Sequence, residues 1–523
     1  MSLYFLPGQT LGPLIPAAAL AVSVACILIY RHLSRQRNVP YPPGPPAPNF
    51  LLGHFGKLPT KKAWLDYMEM GKTYGDMIYF KSLRDHILVL NSAKAANDLL
   101  EKQARITSDR PHANPLDEYA LWDTNTAFAP YSDDWRHARR TFHQNFRAEA
   151  TVKYHPLQTE KVHQFIRALS ASPGPEETVD HISALSQSII ISSLYGMEIN
   201  SNKEDLPAAA KDVVERAGLS LVPGAFAWKH IPYIQYVPFL LPFLKYSRWL
   251  FETRSAVDDL RQAPFKDAME AWTTKGTSSL VAELAAKNPR DIDHIKNIGW
   301  TALVAAADTT MSAIATFFLA ISLNPQVQVK AQEELDRVLG RGVLPKFSDR
   351  KSLPYIEAIY RETMRWHPTV PFGVPHKTME DVVYRGYFIP KGTIIHANIW
   401  AITHDPNVYE KPNEFIPERH FKQDGDYDPI SAITGYGFGR RVCVGRYFAD
   451  GTLWLTMAAT LATMNVTNTS IKKGETGLNF DEVEECYADG GLCHVKDQVP
   501  GIKVQPRFSA DEFQVILEQA KDN

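Results

Sequence analysis

The chain has 523 residues, 45% of them hydrophobic, which is ample for a large core and by length alone would allow about three or four domains. Its 56 Lys plus Arg against 58 Asp plus Glu leave a net charge of −2, so no global basic excess points to nucleic acid. The four cysteines, Cys26, Cys443, Cys486 and Cys493, make no disulfide framework and fit a reducing compartment, with Cys486 and Cys493 read as unpaired thiols.

Residues 11–30 carry no charge, and Arg31, Arg35 and Arg37 follow at once. About twenty apolar or small residues can cross a bilayer as a helix. Pro13 and Pro16 weaken its first turns. A cleaved signal peptide would carry its positive charge before the apolar run, not after it. Residues 1–38 therefore read as a signal anchor with a basic stop-transfer flank, the N-terminus in the lumen and the body in the cytosol. Residues 39–48, dense in proline, read as a stiff extended hinge, with a recognition site for a proline-binding module as the rival.

Residues 49–523 show no internal repeat and no second linker. Helical periodicity dominates, and short alternating runs near Asp76–Leu90 and Tyr384–His396 predict small sheets. The body thus reads as one mainly α domain. Ser132-Asp133-Asp134 opens a helix on which Trp135 and Arg139 share a face. Asp291 to Leu323, free of proline, predicts a single helix about 50 Å long. Within it, Ala305-Ala306-Ala307-Asp308-Thr309-Thr310 combines small residues with an acid and a hydroxyl. Small side chains leave room beside a flat group, and a threonine bonded back to a carbonyl can distort the helix and admit water. The plain alternative is a good helix former with an exposed Asp-Thr pair.

Leu353 to His367 predicts another helix, with Glu362 and Arg365 on one face; alone, such a pair is an ordinary surface ion pair. Last comes Gly435-Tyr436-Gly437-Phe438-Gly439-Arg440-Arg441-Val442-Cys443-Val444-Gly445-Arg446, ahead of a helix from Tyr447 to Met464. Its glycines allow tight turns and close approach to a flat ligand. A thiolate at Cys443 would face the N–H groups that begin the helix, and Arg441 could meet a carboxylate of the same ligand. An isolated cysteine would more often be a buried inert thiol. Thiolate ligation of haem iron is the alternative the surrounding residues favour.

The loop resembles the haem-binding segment of the cytochrome P-450 family, Phe-x-x-Gly-x-Arg-x-Cys-x-Gly. Gly439, Arg441, Cys443 and Gly445 match, and Tyr436 stands where the family has Phe. The other motifs occur in family order. Trp135 and Arg139 are similar to its Trp-x-x-x-Arg. Residues 305–310 resemble Ala-Gly-x-Asp-Thr-Thr, with Ala306 in place of Gly. Glu362 and Arg365 match Glu-x-x-Arg, completed by Arg419 in Pro417-Glu418-Arg419. Thr369 to His376 is similar to the strand lining the family's pocket, and residues 39–48 to the hinge of microsomal members.

The resemblance implies the P-450 fold, with haem between the long central helix and the cysteine-loop helix. It implies Cys443 as axial iron ligand and Trp135, Arg139, His376 and Arg441 as propionate-binding residues, with Tyr436, Gly439 and Gly445 completing the cofactor loop. Asp308 and Thr309 would manage protons, and Glu362, Arg365 and Arg419 would brace the loop. The implied reaction inserts one atom of O2 into a lipophilic small molecule and releases the other as water. Its cofactor is haem b, iron protoporphyrin IX, and its electrons come from NADPH through a membrane-bound NADPH-cytochrome reductase, cytochrome b5 being a further candidate donor. A basic face of Arg136, Arg139, Arg140, Arg440 and Arg446 would meet that reductase.

The implied location is the endoplasmic reticulum membrane, single-pass, which would leave the sequons at Asn465 and Asn468 in the cytosol and unmodified. Residues 106–111 and 129–132 look most like fungal members of specialised metabolism, for which a terpenoid is the favoured substrate. A polyketide, an alkaloid precursor or a fatty acid stays open, as do desaturation, ring formation, rearrangement and, more distantly, a non-catalytic haem-thiolate sensor. Expected pocket residues are Leu116, Leu121, Leu303, Ala305, Val370 and Phe372, with the loop 490–492.

Overall fold

Two hairpins form where the alternating runs predict them. The computed structural model describes residues 23–25, 39–112, 119–171, 174–198, 205–218, 245–422, 433–469, 479–496 and 501–519. β1 (Met77–Ser82) pairs antiparallel with β2 (Asp85–Leu90), and β4 (Val382–Tyr384) pairs antiparallel with β5 (Tyr387–Ile389). Arg385 and Gly386 turn the second hairpin with φ of 49° and 79°, the left-handed pair a two-residue hairpin requires. β6 (Ile394–Ala397) lies parallel to β2 and antiparallel to β3 (His376–Lys377), giving the sheet order β1-β2-β6-β3. β7 (Met464–Asn468) and β8 (Ile502–Pro506) form a separate antiparallel pair.

Of the expected anchor only residues 23–25 are described, and they are helical; the rest of it, its arginines, Cys26 and Leu116 lie outside the described residues. The proline-rich stretch is extended, as its composition dictates, and it is docked on the sheet. Tyr41 stacks on Tyr79 with ring centroids 5.0 Å apart. Tyr79 N donates to Pro43 O at 2.8 Å and Phe388 N to Pro40 O at 2.7 Å. Gly44 lies so close to β1 that a Cβ would sit 2.0 Å from Tyr79 O, so no other residue fits there.

Six helices position the site. They are α1 (Asp133–Phe146), α2 (His155–Ala171), α3 (Pro175–Tyr195), α4 (Ile292–Leu323), α5 (Pro354–Trp366) and α6 (Arg446–Thr463). Ser132 caps α1 by accepting from Trp135 N at 3.1 Å. α4 spans 32 residues and runs through the core against α3, α5, α6 and β7. Its most apolar window has a mean hydropathy of 1.6, enough for a membrane span by composition, yet 83% of that window is buried inside the protein. A helix apolar on every side can be a core helix, and this one is. Pro354 begins α5, which is buried around most of its circumference: Tyr360, Glu362 and Thr363 are all 0% exposed. α6 packs on α2, α4 and α5, so the cysteine loop is held against three helices.

Candidate active site

Two single turns of 3-10 helix, Thr434–Tyr436 and Gly439–Arg441, shape the loop ahead of α6. Cys443 N donates to Tyr436 O at 2.9 Å and closes it. Gly439 has φ of 58°, and a Cβ there would lie 2.1 Å from Leu100 O. Its need for glycine therefore comes from the neighbouring backbone, not from a ligand. Gly435 and Gly437 line the adjoining cavity; Gly439 and Gly445 are not among its lining residues. Gly445 instead precedes α6, and its N–H, with that of Arg446, is aimed at Cys443.

Cys443 is accessible and yet deep, because its open face looks into the cavity. Burial pushes its thiol up, and the N–H groups of Gly445 and Arg446 with the charges of Arg139 and Arg446 offset that only in part. The expected help from the helix start is present, but in the protein alone desolvation outweighs it. A bound metal cation would reverse the balance, since a coordinating thiol is deprotonated outright. The Tyr436 hydroxyl finds its partner in Tyr360, Oη to Oη 3.0 Å.

Above the loop the cavity wall is cationic. Arg110, Arg139 and Arg441 line it with Trp135 and His376, and none of the described lining residues is acidic. Arg441 donates to Ser108 O at 2.7 Å and Ala129 O at 2.9 Å, and its guanidinium lies 4.1 Å from the centre of the Trp135 ring. Trp135 Nε1 donates to Thr126 O at 3.1 Å, so its polar tip is engaged by backbone. Arg139 donates to Val442 O. Arg110 donates to Ala127 O and Val374 O, each at 2.9 Å.

Burial and the Arg139 charge push the Arg110 guanidinium down to about 9; burial and Arg446 push Arg139 down to about 10. Burial with Arg110 drives Arg441 well below the usual arginine range. His376 Nδ1 donates to Thr107 O at 2.9 Å, and burial beside Arg110 holds its ring neutral. Three guanidiniums sharing one buried wall without a carboxylate on it are electrostatically incomplete; an anionic ligand would complete them. Arg110 is the residue sequence reasoning did not assign, although it lay in a segment singled out for resemblance.

α4 forms the opposite wall through Thr301, Ala305, Thr309, Thr310 and Ala313. Thr309 Oγ1 donates to Ala305 O at 2.8 Å, the back-bond its position predicts. Asp308, 8% exposed, turns away from the cavity and meets His494 Nε2 at 3.1 Å from Oδ2. His494 follows the loop 490–492, and nothing in its local sequence marked it. Ser186 of α3 adds a bond to Ala307 O at 2.6 Å. Ala305 and Val370 are among the residues lining this cavity; Leu121, Leu303 and Phe372 are not. Phe372 stacks on Tyr67 at 5.1 Å and on His396 at 4.8 Å, part of the core beneath.

Behind the loop, Glu362 is fully buried, and five hydrogen bonds from four residues answer it. Arg365 donates to both its oxygens at 2.8 Å, Arg419 Nε lies 3.0 Å from Oε1, His420 Nε2 lies 3.1 Å from Oε2, and Ile416 N donates to Oε1 at 2.8 Å. Burial alone would raise this carboxyl; the bonds from Arg365 and His420 override it and hold it down at about 2. His420 joins the network alongside the expected Glu362, Arg365 and Arg419.

The residues present suit a flat, largely apolar group bearing two carboxylates and an iron: a cysteine below, small residues above, and an uncompensated cationic wall beside it. That combination of fold and site defines the haem-thiolate class. The chain belongs to the cytochrome P-450 family, whose model matches residues 42–479. It is 37% identical over 448 residues to the cytochrome P-450 monooxygenase COX1 of Coprinopsis cinerea, covering 82% of this chain and 85% of that protein. It is 36% identical to the cytochrome P-450 monooxygenase ple1 of Rhodocybe pseudopiperita, over 85% of this chain and 86% of the relative. A cytochrome P-450 monooxygenase of Armillaria gallica is 34% identical over 96% of each chain. This protein is accordingly a haem-thiolate monooxygenase of the kind that takes O2, electrons from a redox partner and a small-molecule substrate. The expected fold class stands.

Proposed function

We propose that this chain is a membrane-anchored monooxygenase containing haem b, which hydroxylates or otherwise oxidises a lipophilic small molecule of fungal specialised metabolism, a terpenoid being the favoured class. The observation that carries the reading is Cys443, opening onto a cavity whose side wall bears Arg110, Arg139 and Arg441 and no acid. When bound, the haem supplies the chemistry of dioxygen activation, with electrons from NADPH passed on by a reductase and, in some turnovers, by cytochrome b5.

The chain's own residues do the rest. Cys443 is the iron ligand. Arg110, Arg139 and Arg441 offer the guanidiniums that hold carboxylates, with the His376 ring beside them, held by Thr107 O, and the Trp135 ring as a platform for Arg441. Thr309 presents its hydroxyl oxygen to the cavity while its proton is held by Ala305 O. Asp308, oriented by His494, stores the proton that Thr309 and water carry inward. Thr301, Ala305, Ala313 and Val370 give the cavity a small, mostly apolar surface, which favours hydrocarbon substrates over charged ones. The uncharged run at residues 11–30, followed by Arg31, Arg35 and Arg37, supports a single-pass endoplasmic reticulum location with the catalytic domain in the cytosol.

The test begins with the reduced full-length protein and carbon monoxide. A thiolate-type Soret band in the wild type and its loss in Cys443→Ala are expected; its absence in the wild type, or undiminished turnover by the variant, would sink the proposal. Feeding candidate terpenoids to microsomes that carry the protein and its reductase, then weighing the product, tests the substrate class. A product one oxygen heavier is expected, and conversion of fatty acids alone would refute the terpenoid reading.

A further inference from the structure

α1 and α4 meet a second time, away from the cavity. There His137, one turn into α1, faces Asp291, which precedes α4, and His294, in its first turn. His137 Nε2 lies 2.8 Å from Asp291 Oδ2, and the two imidazole rings face each other with centroids 4.1 Å apart. One ligand atom from each residue lies within 4.8 Å of the other two. Two features distinguish this cluster from chance packing. Asp291 occupies the capping position of α4, yet its side chain caps no helix N–H and turns to His137 instead. His294 Nε2 is buried and has no hydrogen-bond partner.

We propose that His137, Asp291 and His294 form a binding site for a divalent transition-metal ion, with Zn2+ the expected occupant, tying α1 to the start of α4. Two imidazoles and one carboxylate select a borderline ion over Ca2+ or Mg2+, which prefer oxygen. Tetrahedral Zn2+ with bonds of about 2.0–2.1 Å needs ligand atoms about 3.3–3.4 Å apart, so a modest rotation of the rings closes the set. His137, 47% exposed, gives the ion a route in and leaves the fourth position to water. The site shares α1 with Trp135 and Arg139, so an ion there would stiffen the helix that carries part of the cavity wall.

The test uses tag-free, full-length holoprotein in detergent, treated with chelator and desalted, then titrated with ZnCl2 by calorimetry. About one equivalent should bind, and thermal unfolding should move up by a few degrees. His294→Ala and His137→Ala should each weaken that binding at least tenfold while leaving the carbon monoxide band of the reduced protein unchanged, which verifies the fold. The milder His294→Gln should behave likewise. Zinc absorption spectroscopy should report two imidazoles and an oxygen donor. No binding by the wild type, or equal binding by wild type and all three variants, would overturn the site; the latter would mark the zinc as adventitious.

Discussion

Tyr436 stands where the family has phenylalanine, and its extra hydroxyl is answered by a fully buried Tyr360. Tyr436→Phe should therefore destabilise rather than help: it leaves Tyr360 with a lost bond in the core, at a cost of about 1–3 kcal/mol. Chemical denaturation measures this, and the double variant with Tyr360→Phe should recover most of the loss. The carbon monoxide band should be the same in all three proteins. Asp308 presents a different case, because its partner arrives from the far end of the chain. Asp308→Asn should slow product formation at least about a hundredfold, within the range of about 10²–10⁴ that positioned acids and bases contribute. His494 acts through Asp308, so His494→Ala should chiefly lower the product formed per NADPH consumed, with substrate binding unchanged. His494→Gln should restore part of that ratio. Equal coupling in His494→Ala and wild type would remove His494 from the relay.

At the scale of elements, α5 and the turn Pro417–His420 are joined through one carboxylate. The folded-state value of Glu362 is depressed from 4.5 to about 2. Its contribution is therefore fully present above about pH 4.5 and is lost as pH falls toward about 2. Glu362→Gln leaves Arg365 and Arg419 buried without their counter-charge and should cost about 3–5 kcal/mol at neutral pH. Plotting the unfolding midpoint against pH checks this. The variant's curve should be flatter than the wild type's between about pH 4.5 and 2. An unchanged slope would assign the acid sensitivity to other groups. α1 shows the division of labour within one helix: Trp135 and Arg139 turn to the cavity, whereas Arg136 and Arg140 stay exposed.

Across the molecule, that outward pair and Arg440 give the cysteine-loop side a positive surface, and Arg139, expected to belong to it, is drawn inward. Arg136 is held by Asp133 in an exposed pair that adds little to stability, so a partner's carboxylate could replace Asp133 at little cost. Reversing both charges, Arg136→Glu with Arg140→Glu, should raise the KM for a reductase several-fold and flatten the dependence of turnover on salt. The carbon monoxide band and thermal midpoint should stay near wild type. An unaltered KM would move the partner's footprint elsewhere.

Much of this was readable one segment at a time. The Ser132 cap, the proline-free run that became α4 and the alternating runs of both hairpins act over a few positions, so the order of residues reports them directly. The cysteine loop was legible for the same reason, although its glycines proved to serve different neighbours: Gly439 yields to Leu100, and Gly437 faces the cavity. The contributions of Arg110, Tyr360, His420 and His494 were not legible, because each depends on a partner or a shared wall built from distant segments. No periodicity encodes such a meeting. It comes from how α4, α5 and α6 pack, and packing sets which buried charge finds an answer and which waits for a ligand.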